Sequence, residues 1–343
     1  MRAFEIDRQG HGRVADISEP RATSGQAIVS VARVGICGTD LGLYNGDETR
    51  ITRARTTYPI RPGHEWAGTV TAVGDDADRQ WIGRRVTGHT MIGCGLCDDC
   101  AAGQIHLCQD RFEVGVRGGW DGALAERFVM PVASLLQLPD NVHWDAAAMV
   151  EPGGNAQRSV VAAGAAPGAH ILVIGAGTIG LLSALFARAT GAEVHLLGRR
   201  ESSLVIARQL GLPSSSSTDQ LPDVRWDAVI DSSNGPTVPA EGAELVRPGG
   251  RLVLVGVSET PSELDTRRLV HREVTAIGIL GGSAGLQPAI DAYASGVVDP
   301  LPLVGRTVAL EQLDALFSSG MRVADGVGPK TLVDPTLSNN LLP

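Results

Sequence analysis

Of the five cysteines in the chain, Cys94, Cys97, Cys100 and Cys108 follow a C-x2-C-x2-C-x7-C spacing. Four thiolates this close, with Gly93, Gly95 and Gly103 letting the chain fold back, suit one tetrahedral structural zinc. Two disulfides fit less well, because cysteines three apart in a tight loop rarely reach disulfide geometry and no export signal precedes them. An iron–sulfur cluster is a further alternative, but Gln109 rather than proline follows Cys108. The fifth cysteine, Cys37, stands in Gly35-Ile36-Cys37-Gly38-Thr39-Asp40. Alone it would read as a small buried hydrophobe. Together with His64 of Pro62-Gly63-His64-Glu65 and with Glu151, it offers a thiolate, an imidazole and a carboxylate, a donor set for zinc with an open position. Glu65 adds a carboxylate able to exchange with water on the metal.

A second kind of chemistry is written in Gly175-Ala176-Gly177-Thr178-Ile179-Gly180, which follows the apolar run 169–174 and opens a predicted helix at 181–190. Gly175, Gly177 and Gly180 give the tight turn, the close approach to a pyrophosphate and the packing of helix on strand, while Thr178 and Ile179 lie within the turn and the helix N-terminus supplies amides for the phosphates. The next strand, 193–197, ends at Gly198-Arg199-Arg200, where NAD-specific folds usually carry Asp or Glu. Arg199 and Arg200 suit a 2′-phosphate, so NADP is expected in preference to NAD. The alternative is that they merely start a solvated helix.

The elements that must position these groups fall into two sets. With 343 residues, two domains with separate cores are expected. The 43% hydrophobic and 20% charged content is that of an ordinary globular chain, and a net charge of −9 argues against a nucleic-acid partner. The longest apolar run, 171–187, is broken by three glycines and falls short of the roughly 20 residues that span a bilayer, so no membrane partner is expected. A charged N-terminus and metal-type cysteines point to the cytoplasm. Lys330 is the sole lysine, which leaves Schiff-base chemistry one poorly placed candidate. It also excludes the Tyr-x-x-x-Lys pair of short-chain dehydrogenases, since none of Tyr44, Tyr58 and Tyr293 has a lysine four residues on.

Short β-prone runs at 27–34, 68–73, 83–86 and 123–129 predict a barrel-like first unit. From about residue 150 strands and helices alternate, which predicts a doubly wound parallel sheet over 151–284. Its third strand falls on the polar run 214–217 and is expected to be short or at an edge. Helices at 287–294 and 311–318 and a strand at 330–333 are expected to return to the first domain and leave the active site in the cleft.

In this order, the Cys37 segment, Gly63-His64-Glu65, the four-cysteine lobe, Glu151-Pro152 and the glycine-rich turn resemble the zinc-dependent medium-chain dehydrogenases/reductases over essentially the whole chain. Glu151-Pro152 resembles the polyol, sugar and threonine dehydrogenases rather than the simple alcohol dehydrogenases, which use a cysteine there. The resemblance implies an α/β chain: a GroES-like β-barrel catalytic domain from 1–150 plus 285–343 with both zinc sites, and a Rossmann dinucleotide-binding domain from 151–284. It implies two zinc ions per chain, one structural and one catalytic. Cys37, His64 and Glu151 would hold the catalytic ion, with Glu65 in or beside its shell. Thr39 would take the substrate's hydroxyl proton and Asp40 would orient His64, compatibly with capping the helix that begins there.

The implied reaction moves hydride between a secondary alcohol of a sugar, polyol or aminocyclitol and a nicotinamide, with zinc polarising the substrate oxygen. A homodimer or homotetramer is implied, pairing near 274–279. Two positions depart from the family pattern. Many relatives have a histidine a few residues after the zinc-ligand cysteine, whereas here Gly42 stands two residues beyond Asp40 with no histidine nearby, so the proton relay is expected to end through water or Glu48. Gly153-Gly154-Asn155 replaces bulkier residues, which would enlarge the pocket beside the nicotinamide and let Asn155 bond a hydroxyl or the carboxamide. Arg117, Trp120 and Asp121, with Tyr44, Asn45, Asp47 and Glu48, give a polar rim that suits a polyhydroxylated or aminated substrate. Two alternatives stay open: an NADPH-dependent carbonyl reductase on the same scaffold, and a non-catalytic nucleotide-binding relative, against which the intact Cys37, His64, Glu65 and Glu151 argue.

Overall fold

A computed structural model describes residues 1–47, 51, 55–321 and 328–337. The chain divides into two compact units, one of Met1–Glu151 with the described parts of Val304–Val323 and Lys330–Pro343, the other centred on Pro152–Leu303.

The first unit is built on a seven-stranded sheet. Its path runs Val304–Val308, Lys330–Val333, Gln26–Gly35, Glu65–Val73, Arg85–Gly88 and Leu135–Gln137, with Arg127–Pro131 also pairing on Gln26–Gly35. Along Gln26–Gly35 the residues Ala27, Val29 and Val31 are buried in alternation, the period-2 pattern of a strand with one face on the core. That face meets Phe4, Trp66 and Phe128, the last two ring edge to ring face at 4.9 Å. Two registers matter for function: Gly35 pairs with Glu65 on one side and with Leu332 on the other. The central strand therefore carries Gly35 between Glu65 and the strand that begins at Lys330.

The second unit holds a six-stranded, wholly parallel sheet in the order Ser214–Ser215, Glu193–Leu197, His170–Ile174, Trp226–Asp231, Val246–Leu254, Thr275–Gly278. The strand order reverses at His170–Ile174, the topological switch point at which such sheets open a ligand crevice. The polar serine run is a two-residue strand at the sheet edge, where it needs no second apolar face.

The second unit extends to Leu303 rather than ending at 284. The reason is packing: the helix Leu286–Ala294 buries Leu286, Ala289, Ile290 and Tyr293, and the Tyr293 ring lies 6.1 Å from that of Phe186 in the helix Thr178–Ala189. Among the described residues no helix is long and apolar enough to cross a membrane.

Candidate functional site

Cys37 is the N-cap of the helix Gly38–Asn45, and Asp40 is the third residue of that helix. The Asp40 carboxylate is wholly buried; its Oδ2 accepts the Cys37 N–H at 2.9 Å and its Oδ1 accepts the Gly63 N–H at 3.2 Å. One buried carboxylate thus ties the turn that carries Cys37 to the turn that carries His64. His64 Nδ1 lies 3.5 Å from Asp40 Oδ1 and has no closer hydrogen-bond partner. Burial alone would lower the imidazole's pKa, but the Asp40 carboxylate and the Cys37 sulfur reverse this and hold it well above the ordinary histidine value. Thr39 Oγ1 lies 3.8 Å from Cys37 Sγ. Donor atoms of Cys37, His64 and Glu65 all come within 4.8 Å of one another, and thiolate, imidazole and carboxylate are zinc's usual ligands. Glu151 stands in the first turn of the helix Val150–Ala163 and outside this triplet, near enough to Lys330 to raise its pKa.

Lys330, which the sequence marked only as a poorly placed Schiff-base candidate, joins this cluster. Its Nζ donates to Glu65 Oε2 at 2.5 Å and to the Ile36 carbonyl at 3.0 Å, with both side chains almost inaccessible to solvent. A Cβ on Gly35 would lie 2.1 Å from Glu65 Oε2, so only glycine leaves room for the carboxylate to turn toward the lysine. Burial would lower the lysine's pKa, yet Glu65, Cys37 and Glu151 together raise it, so it is an ammonium at neutral pH. The signal was the single lysine itself; the register that pairs its strand with the one ending at Gly35 is not local in sequence.

The sulfurs of Cys94, Cys97, Cys100 and Cys108 come within 4.8 Å of one another. Cys108 Sγ accepts the Cys94 N–H and Cys94 Sγ accepts the Leu96 N–H, both at 3.4 Å. Backbone N–H groups of Leu96 and Cys97 bring Cys94 down to about 7. At Cys97 the Cys100 backbone N–H pulls the pKa down, but the neighbouring sulfurs and burial push it up to about 12. Sulfurs crowded this way ionise together only around a cation, which suits a four-thiolate zinc. Arg117, expected on the substrate rim, instead donates to the carbonyls of Arg111 at 3.2 Å and Gln109 at 3.1 Å and braces this lobe.

At the glycine-rich turn, Gly175 has φ +110° and a Cβ on it would meet Ser232, while a Cβ on Gly180 would lie 1.8 Å from the Gly175 carbonyl oxygen. Gly177, the N-cap of Thr178–Ala189, faces open space, with nothing within 4 Å of where its Cβ would be. The outer two glycines are spent on packing and the middle one leaves a cradle for a phosphate. Thr178 and Ile179 are half-buried in the first turn. Arg199 Nη2 donates to Glu241 Oε1 at 2.5 Å, and Arg200 is the exposed N-cap of the helix Glu201–Gln209.

Asn155 is buried, its carbonyl accepting the Ser159 hydroxyl at 2.8 Å. Gly153 and Gly154 do not enlarge a pocket: Cβ atoms there would meet Tyr293 Oη at 2.3 Å and Leu286 Cδ2 at 2.8 Å, so they serve close helix packing. Tyr44, expected on the rim, is buried and donates to Asp314 Oδ1 at 2.9 Å. Glu48 lies outside the described residues.

Residues 23–140 match the family model of the alcohol dehydrogenase GroES-like domain, and residues 178–295 match that of the zinc-binding dehydrogenases. The L-threonine 3-dehydrogenase of Legionella pneumophila is 30% identical over 277 residues, 78% of this chain and 80% of that one. The fold superposes on an alcohol dehydrogenase of Escherichia coli CFT073 complexed with NADH (TM-score 0.88, 24% identity, covering 97% and 99% of the two chains). It also superposes on a Sinorhizobium meliloti protein assigned as a zinc-binding dehydrogenase and bound to NADP (TM-score 0.87, 26% identity, 97% and 99%). With a GroES-like and a zinc-binding dehydrogenase segment in one chain, this protein belongs to the zinc-dependent medium-chain dehydrogenases/reductases.

Proposed function

We propose that the protein transfers hydride between a secondary alcohol of a sugar, polyol or aminocyclitol and NADP. The observation that carries this is the convergence of Cys37, His64 and Glu65 donor atoms, with Asp40 tying their two turns together. Zinc bound there supplies a Lewis acid that lowers the pKa of the alcohol. Cys37 and His64 hold it, Glu151 completes the set, and the buried Asp40 keeps the imidazole in one orientation. Thr39, beside Cys37, accepts the hydrogen bond from that hydroxyl and would pass a proton onward through water as the alcohol ionises. Lys330 neutralises Glu65, so that a second carboxylate can sit at the centre without driving the first away. The four-cysteine lobe holds the second, structural ion.

The glycine turn takes the pyrophosphate, with Gly177 admitting it and the Thr178 and Ile179 amides donating. The absence of a carboxylate at Gly198-Arg199-Arg200 supports NADP, with Arg199 passing from Glu241 to the 2′-phosphate. Identity with L-threonine 3-dehydrogenase supports a secondary alcohol as the reacting group. The exposed edge strand Thr275–Gly278 supports a homodimer or homotetramer by strand pairing, and five unpaired cysteines support a cytoplasmic setting.

Metal analysis tests the core of this. The protein should carry about two zinc ions per chain, and Cys37→Ser should lose one of them and all turnover while its circular dichroism is unchanged. One zinc in both proteins would refute the proposed centre.

A further inference from the structure

We propose that Arg158 is a positioning residue for the nicotinamide half of the cofactor, acting through the loop 279–285 rather than by touching the ring; the inference rests on the nicotinamide reading above and deepens it.

The sheet of the second unit places that loop. On one side of the switch point, His170–Ile174 leads into the glycine-rich turn and Glu193–Leu197 into Arg199, both at C-terminal strand ends. A dinucleotide lies across the switch point of such a sheet with one nucleotide on each half. The pyrophosphate turn and the arginine for the 2′-phosphate both belong to the first half. The nicotinamide nucleotide therefore falls to the half made by Trp226–Asp231, Val246–Leu254 and Thr275–Gly278. The loop 279–285 leaves the C-terminal end of the last of these strands, with the Ile279 N–H still on the Leu254 carbonyl at 2.9 Å.

Arg158 sets what that loop presents. It stands in the helix Val150–Ala163, and its Nη1, which carries two N–H groups, donates to the carbonyls of Leu280 and Gly281 at 2.9 and 2.5 Å. In a planar trans peptide the C=O and N–H point opposite ways, so two carbonyls turned onto Arg158 turn the N–H groups of Gly281 and Gly282 away from it. Among the described residues neither of those N–H groups has an acceptor. They are free for an acceptor oxygen, and the nicotinamide carboxamide carries one.

Glycines bring the loop and the helix together. A Cβ on Gly285 would lie 2.2 Å from the Gly154 carbonyl oxygen, and one on Gly154 would lie 2.8 Å from that of Gly282. One turn along the same helix, the guanidinium fixes the shape of the loop so docked. Asn155, expected to bond the carboxamide, is buried three residues before Arg158 and so shares its helix face.

The test measures dissociation constants on the zinc-loaded protein, by fluorescence for NADPH and by calorimetry for 2′-phospho-ADP-ribose, which lacks only the nicotinamide. Arg158→Ala should weaken NADPH about tenfold, the loss of one hydrogen bond, and leave 2′-phospho-ADP-ribose within about twofold. Arg158→Lys, whose ammonium can still donate to these carbonyls, should restore most of the NADPH affinity. Equal losses for both molecules would make Arg158 a brace of the whole crevice and overturn the proposal. Unchanged NADPH binding in Arg158→Ala would overturn it too. A wild type that binds NADH and ADP-ribose but not their phosphorylated forms would remove the NADP assignment alone; a loss confined to NADH then upholds Arg158, and equal losses overturn it. A wild type that binds neither reduced cofactor would remove the nicotinamide reading, and this inference with it.

Discussion

Replacing Lys330 with methionine removes the cation that faces the buried Glu65 carboxylate. Glu65 and Lys330 are each 2% exposed, and Nζ lies 2.5 Å from Oε2. Deleting one partner of such a pair leaves an uncompensated buried charge, which costs about 3–5 kcal/mol. For a folding unit of 150–250 residues each kcal/mol shifts Tm by roughly 2–4 °C, so Lys330→Met should lower it by roughly 6–20 °C. Bound zinc offers Glu65 a second counter-charge, which places the loaded protein at the low end of that range and the chelated protein at the high end. The assay is scanning calorimetry of the wild type, Lys330→Met, Glu65→Gln and the double variant. In the double variant both charges are gone, and most of the loss should be recovered. An equal drop from Lys330→Met in the wild-type and Glu65→Gln backgrounds, or a drop under about 2 °C in both metal states, would refute the pairing as an energetic unit.

Gly177→Ala points a methyl into open space at φ −88° and should change stability by less than about 0.5 kcal/mol while raising the cofactor KM; Gly180→Ala, whose Cβ would lie 1.8 Å from the Gly175 carbonyl oxygen, should cost roughly 1–3 kcal/mol in a denaturant titration. Arg199→Ala should raise KM for NADP at least about tenfold more than for NAD, the worth of a charge-assisted hydrogen bond, and Glu241→Gln, which frees Arg199, should lower it; steady-state kinetics with both cofactors decides. Burial lowers the pKa of His89 and of His195, so on acidification the unfolded chain binds their protons first. Their contribution is therefore complete above the ordinary histidine value of 6.5 and is lost as pH falls below it. The slope of unfolding free energy between pH 7 and pH 5, from denaturant titrations, should be shallower in His89→Gln, the difference staying within about 1.36 kcal/mol per pH unit.

What could be read from the sequence was what is local in it. The C-x2-C-x2-C-x7-C lobe places its own ligands within one loop, and the glycine-rich turn carries its strand and helix with it, so both were legible without tertiary information. Asp40 was legible because a carboxylate three residues into a helix lies next to its cap. The Gly35–Glu65–Lys330 arrangement was not, since it depends on two strand registers that bring residues 35, 65 and 330 together. Gly153 and Gly154 were misassigned to a pocket because a glycine does not say what packs against it; here that is Tyr293 and Leu286. Tyr44 went to the rim for the same reason, since nothing near it in sequence shows that the helix Leu313–Ser318 covers it and that Asp314 and Ser318 take its hydroxyl. The ion pairs of Arg61 with Glu5 and Asp121 attracted no notice because both partners are distant from it in the chain.

The most direct test of the proposed function is the initial rate of reduced-nicotinamide formation by the zinc-loaded protein, with NADP and with NAD, over alkyl alcohols, threonine, hexitols, aldoses and aminocyclitols. The account predicts turnover of a polyhydroxylated secondary alcohol, faster with NADP and abolished by Cys37→Ser. Turnover that survives Cys37→Ser, or its absence with every alcohol and with the corresponding ketones and NADPH, would contradict it.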